Sequence, residues 1–172
     1  QNKNLEYIDA QAYDKRGESS ILENYVLKLW HPFLKDRIYK LSAGKTVADL
    51  GCGTCEYTQA AKAAQKIYAV DISENMLEIC RAKLDDLKKT EVIEDSVLSV
   101  NLPPVDLVIT VGVWEYIKPQ DLYDKIKKIT KNGGKVIVMF PNIYNDLNWM
   151  RNIFAKKKVA LRPGFIRNLF RR

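Results

Sequence analysis

The chain has 172 residues, 47% of them apolar and 28% charged, with a formal net charge of +7. This is the composition of one globular domain with a real core, and it excludes a disordered or collagen-like chain. No apolar run reaches the roughly 20 residues that a membrane-spanning helix needs, and the polar N-terminus carries no visible signal peptide, so a cytoplasmic protein is expected.

The charge is unevenly spread. Residues 1–146 hold 20 Lys and Arg against 21 Asp and Glu, whereas residues 147–172 hold 8 basic residues and no acid. The excess therefore belongs to the last stretch, where Arg151, Lys156, Lys157, Lys158, Arg162, Arg167, Arg171 and Arg172 alternate with apolar and aromatic residues. Such a segment suits an anionic membrane surface or RNA, and equally a solvated lid. The three cysteines, an odd number without framework spacing, suggest a reducing compartment.

In chain order, residues 1–18 read as a loose first helix that includes Tyr13. Ser20 and Glu23 fit a capping box, followed by Ile21, Leu22, Tyr25, Val26, Leu29 and Trp30 on one helical face. Pro32 is expected to restart that helix, continued by Phe33, Leu34, Ile38, Tyr39 and Leu41. Strands are then predicted over 46–50, 66–71, 91–95, 105–111 and 134–140, and helices over 56–64, 74–87, 119–131 and 144–155. Asn132-Gly133-Gly134 is predicted as a C-cap and turn. Strands alternating with helices predict an α/β fold: a Rossmann-like, doubly wound, mostly parallel sheet in three layers. Residues 1–44 would form a helical lid, 45–142 the core and 143–172 a basic tail.

The run Val47-Ala-Asp-Leu-Gly-Cys-Gly-Thr-Cys-Glu-Tyr-Thr58 reads as a buried strand, a glycine turn and a helix start. Gly51 and Gly53 let the backbone approach a ligand closely. Asp71, twenty residues after Gly51 at the end of the next strand, is placed to take the two hydroxyls of a ribose. Glu56 stands where a dinucleotide motif has its third glycine, so a pyrophosphate would meet a carboxylate. A nicotinamide oxidoreductase is disfavoured on that ground, and a cationic adenosine cofactor is favoured.

Five blocks in order, over about residues 45 to 142, resemble the class I S-adenosylmethionine-dependent methyltransferases. They are Asp49-x-Gly51-x-Gly53, Ala69 to Met76, Val92 to Pro103, Asp106 to Ile117 and Leu122 to Asn142. The resemblance implies S-adenosylmethionine as cofactor, with S-adenosylhomocysteine as product. It implies cofactor contacts from Asp49, Gly51, Cys52, Gly53, Asp71, Ile72, Met76, Asp95, Ser96, Thr110 and Val111, with Tyr13 closing over from the N-terminus. Cys55 replaces a third small residue. Val113-Trp-Glu-Tyr-Ile117 matches a family pattern in which Tyr116 replaces a histidine. Tyr116, Glu115 and the single histidine, His31, are the weak catalytic candidates. Trp114 fits a cofactor contact and a core position equally.

Cys52 and Cys55 form a Cys-x-x-Cys pair, but Cys80 and His31 lack ligand spacing, so no metal is expected. Asn101-Leu-Pro-Pro104 precedes the fourth strand instead of following it, so adenine-N6 or glutamine methylation is not expected. The family fold adds two strands after the fifth. Only 32 residues follow Phe140, without a convincing strand pair, so those strands are expected to be missing through truncation. The acceptor is expected to be a small or lipid-linked molecule. An RNA methyltransferase using the basic tail, and a non-catalytic module pairing through an open sheet edge, are the alternatives.

Overall fold

The computed structural model describes residues 10–11, 21–84, 88–114 and 116–139, without the side chains of 21–29. Tyr13, Ser20, Glu115 and the whole basic segment lie outside the described residues, as does the predicted helix over 144–155.

A long helix, α1 (Ile21–Ser42), precedes β1 (Thr46–Leu50), β2 (Lys66–Asp71), α2 (Glu74–Leu84), β3 (Thr90–Glu94), β4 (Val105–Val111), α3 (Pro119–Ile129) and β5 (Thr130–Met139). The five strands form one sheet in the order β3-β2-β1-β4-β5, and every pairing is parallel. The strand order reverses between β1 and β4, the switch point at which α/β sheets open a crevice beyond their C-terminal ends. The central strands are short apolar runs because both faces are covered. On one face, Val47, Ile67, Leu107 and Ile109 pack with Ile38 of α1, and Ala69 packs with Leu77 and Leu84 of α2. On the other, Ala48, Leu50, Val70 and Val108 pack with Leu122, Ile126 and Ile129 of α3.

Three expectations need correction. Pro32 does not restart the helix; α1 runs through it, at the cost of the hydrogen bond that its nitrogen cannot donate. Residues 56–64 do not form an α-helix. Only a 3-10 turn, Thr58–Ala61, appears, and its N-cap Tyr57 makes no side-chain cap bond. The segment is fastened at both ends: Cys55 N donates to Cys52 O at 2.9 Å, Gly44 N to Ala63 O at 2.9 Å and Gln65 N to Lys45 O at 2.8 Å. Between these ties the chain makes one short 3-10 turn.

The third correction concerns Asn132-Gly133-Gly134, which lies inside β5 instead of capping α3. The helix ends at Ile129, where the Thr130 hydroxyl donates to Ile126 O at 2.6 Å. Pairing starts at Val105↔Thr130 and resumes at Leu107↔Lys135, so the surplus residues bulge out of β5. Gly133 takes the left-handed conformation there, with φ +77°. A Cβ on Gly134 would lie 2.6 Å from Thr130 Cγ2 and 2.9 Å from Lys131 O.

The rim opposite the crevice is held by backbone turns and by Asp106, whose carboxylate accepts Thr46 N at 2.9 Å and Lys131 Nζ at 3.1 Å.

Candidate cofactor site

The site lies where β1, β2, β3 and β4 end. Gly51 follows β1 with φ +73°, and Gly53 follows with φ +52°. Both are left-handed conformations that glycine adopts without strain. A Cβ on Gly51 would fall 2.3 Å from Val113 Cγ2, so the turn needs this glycine for space as well as for φ. Gly51 N and Cys52 N both donate to Val70 O, at 2.8 and 3.0 Å, which folds the turn back against β2.

Asp71 completes the turn. Its Oδ2 accepts Gly53 N at 2.8 Å, and its Oδ1 accepts Ser73 N at 3.0 Å, just before α2. The carboxylate therefore joins the glycine turn to the start of α2. Each oxygen has lone pairs left over, since an ionised carboxylate can accept about four hydrogen bonds. Ile72, next in sequence, is 47% exposed and offers an apolar surface beside that carboxylate. Met76 is buried in α2.

Asp49 is the one buried charged side chain among the described residues. Burial pushes its pKa up to about 7, with the Thr58 hydroxyl opposing and the nearby Asp71 adding to the rise. Thr58 Oγ1 donates to Asp49 Oδ2 at 2.5 Å. Two carboxylates flanking a glycine turn make a place for a cation.

After β3, Asp95 Oδ1 accepts Ser96 N and Ser99 Oγ, both at 2.6 Å. Asp95 N in turn donates to Asp71 O at 3.0 Å. The β3 turn is thus docked on the end of β2, and Asp95 and Ser96 come to the same rim as Asp71. At the end of β4, Thr110 is fully buried, and its hydroxyl has no hydrogen-bond partner among the described residues. Val111 packs on the α1 face. Gly112 follows with φ +69° and open space where a Cβ would stand.

Glu56 differs from its expected role. Its carboxylate is ion-paired with Lys35 of α1 and lies 4.0 Å from Lys83 Nζ. Its charge is answered locally, so repulsion of a pyrophosphate rests on Asp49 and Asp71 instead.

Among the catalytic candidates, His31 on α1 lies against Tyr57, which precedes the 3-10 turn, with the ring centroids 5.3 Å apart. Burial lowers its pKa, with Glu56 opposing and Lys35 assisting, so it is a neutral base at pH 7. Tyr116 is 46% exposed beyond β4, and its backbone N closes a turn onto Val113 O at 3.0 Å. Trp114 packs against the α3-side core, which favours its core reading.

Cys80 is the residue that sequence reasoning set aside wrongly. It stands on α2, and the fold brings it to the glycine turn, where it is disulfide-bonded to Cys55. Cys52 is a buried free thiol beside the pair. The spacing argument that set Cys80 apart from Cys52 and Cys55 does not hold in space, because spacing along the chain does not register a partner supplied by another element. With two sulfurs bonded to each other, the group has one thiol to offer a cation.

Residues 48–138 match the protein family described as "Methyltransferase domain". The chain is 30% identical over 114 residues to the demethylmenaquinone methyltransferase of Bacillus mycoides, a match covering 60% of this chain and 47% of that protein. It is 29% identical over 134 residues to the Lactococcus lactis protein of the same name, covering 73% and 52%. The chain thus spans about half the length of the curated relatives it matches. Among solved structures, the magnesium protoporphyrin IX methyltransferase of Synechocystis with bound S-adenosylhomocysteine superposes with a TM-score of 0.74 at 15% identity, covering 93% of this chain and 81% of that one. The N-methyltransferase NodS of Bradyrhizobium japonicum gives 0.61 at 14%, covering 71% and 72%. At these identities the likeness is one of fold.

Proposed function

The chain belongs to the class I S-adenosylmethionine-dependent methyltransferase family, and from that premise we propose that it moves a methyl group from S-adenosylmethionine to a small or lipid-linked acceptor. The observation that carries the cofactor assignment is the pair of carboxylates across the glycine turn, buried Asp49 and half-buried Asp71. They suit a ligand with a sulfonium, an α-ammonium and a ribose diol, and no phosphate. The donor set fits that ligand part by part. Asp71 has acceptor capacity for the ribose hydroxyls, Ile72 an apolar face for the adenine, and Asp95 and Ser96 polar atoms for its edge. Gly51, Cys52 and Gly53 supply backbone to the amino-acid end, where Asp49 balances the positive charge. The buried Thr110 hydroxyl is an unused polar group at the same rim. Tyr13 closing over the cofactor and Met76 at its adenine side belong to the same proposal.

When bound, the cofactor supplies a methyl group already activated by the sulfonium. The chain's task is to place the acceptor atom in line at about 3 Å and to exclude water. A protonated acceptor needs a base, and His31, neutral at pH 7, is the described side chain best suited to it. The curated relatives act, by name, on demethylmenaquinone, which makes a ring compound with a lipid tail the first acceptor class to test. Residues 45–142 are the cofactor-binding core in this proposal.

Calorimetry with S-adenosylmethionine and S-adenosylhomocysteine tests it, with Asp71→Ala as control. Micromolar binding lost in the variant supports the site. A folded sample that binds neither compound removes the assignment.

A further inference from the structure

Three sulfurs stand together at the glycine turn. Cys52 and Cys55 lie on the turn and Cys80 on α2; all are buried, with their sulfur atoms within 4.8 Å of one another. Cys55 and Cys80 are bonded, with 25 residues of sequence and 4.9 Å between their Cα atoms. The bond ties the turn to α2, the same two elements that Asp71 joins through Gly53 N and Ser73 N. Cys55 is also the one described residue other than glycine with a positive φ, +63°. L-residues visit that conformation only at an energetic cost, so something must hold Cys55 there. The bond to Cys80 is the covalent restraint at that position.

We infer that the Cys55–Cys80 bond is a reversible thiol switch on the cofactor turn: closed, it holds the turn in its binding shape, and opened, it frees Cys55 to leave the left-handed conformation and weakens cofactor binding. This inference rests on the glycine turn being the cofactor site. A preformed turn binds better because its ordering has already been done. The opening step uses two molecules of a small thiol. The first, as thiolate, attacks one sulfur, breaks the S–S bond and forms a mixed disulfide, and the released cysteine sulfur takes up a proton. The second displaces the first from that mixed disulfide, leaving two protein thiols and one small-molecule disulfide. Two electrons pass from the small thiols to the protein, and closure is the reverse, with a small disulfide as oxidant.

Cys52 lies close enough to exchange with the pair. Burial, with Asp49 and Asp71 adding to it, holds its thiol well above the ordinary range, so it stays protonated and leaves the Cys55–Cys80 pairing intact at neutral pH. Both bonded sulfurs belong to fully buried residues, so a small thiol reaches them when the turn opens. A bound cofactor should therefore protect the bond, and by linkage the closed bond should favour the cofactor.

The test uses the whole chain after treatment with oxidised glutathione or with dithiothreitol. Alkylation after denaturation, read by intact mass, should find one thiol in the first sample and three in the second. Calorimetry with S-adenosylhomocysteine should give an affinity about five-fold or more weaker in the reduced sample, the lower end of typical coupling. Saturating S-adenosylhomocysteine should slow the gain of thiols in dithiothreitol. Cys80→Ser should bind like the reduced protein and ignore the redox treatment; if it does not fold, the wild-type pair of samples decides. Equal affinities within two-fold, or three thiols in the oxidised sample, overturn the switch while the cofactor reading stands. A bond seen by mass with no binding in either state removes the cofactor reading, and the switch with it.

Discussion

The Asp71 carboxylate accepts the backbone N–H of Gly53 at 2.8 Å, so the acid expected to hold a ribose also holds the turn that would receive the rest of the cofactor. Asp71→Ala removes an acceptor from two backbone donors. It should weaken S-adenosylhomocysteine binding at least ten-fold and, by stranding those donors, cost about 1–3 kcal/mol of stability. Asp71→Asn keeps one acceptor oxygen and should lose less stability than affinity. Denaturant titration beside calorimetry separates the two effects; a variant with full affinity would place the ribose elsewhere.

Asp49 gives the site a pH dependence near neutrality. Its folded pKa of about 7 lies above the ordinary carboxyl value, so the folded state holds the proton more tightly than the unfolded one. The stability from this group is present in full below about pH 4 and is lost as pH rises to about 7. Cation binding runs the other way, since it needs the ionised carboxylate. Affinity for S-adenosylmethionine should therefore rise between pH 6 and 8, with proton release visible when calorimetry is repeated in buffers of different ionisation enthalpy. Asp49→Asn should flatten that rise.

Gly51 and Val113 should be coupled. Gly51→Ala adds a methyl 2.3 Å from Val113 Cγ2 at a left-handed φ; the two effects together should cost about 2–5 kcal/mol. Val113→Ala in the same chain should recover the steric share and leave the backbone share. A double-mutant cycle with no coupling would mean that the turn moves instead.

The β5 bulge separates two adjacent glycines. Gly133→Asn has open space and a φ that asparagine tolerates, and should cost less than about 1 kcal/mol. Gly134→Ala meets a side chain and a backbone oxygen, and should cost about 1–3 kcal/mol. Reversal of that order in melting experiments would refute the bulge geometry.

Three of the five strands were legible because Val47–Leu50, interrupted only by Asp49, Ile67–Val70 and Leu107–Val111 are mostly apolar runs bounded by turns, which is what a sheet covered on both faces requires. Asp49, Gly51, Gly53, Asp71 and Asp95 lie at or just beyond the C-terminal ends of β1, β2 and β3, positions that could be read from strand and turn boundaries alone. The helix over 56–64 was misread because a strand followed by a glycine turn reads as a helix start, while the ties of Ala63 and Gln65 to Gly44 and Lys45 come from another part of the chain. The β5 start was misread because a glycine pair after a helix looks the same whether it caps that helix or bulges in a strand. Cys80 was invisible as a partner of Cys55 because no local period reports a contact made through α2.

Parallel strands divide the molecule's labour. Among the described residues, the turns after β1, β2 and β3 open on the crevice, while the opposite rim carries tying bonds: Gln65 to Lys45, Ile67 to Lys89, Thr46 to Asp106. Changes of chemistry and changes of durability therefore have separate addresses. A lineage could change what the crevice binds by rewriting its loops while its melting temperature stayed put, and could adapt to heat through Asp106, Lys131 and their neighbours without touching the crevice.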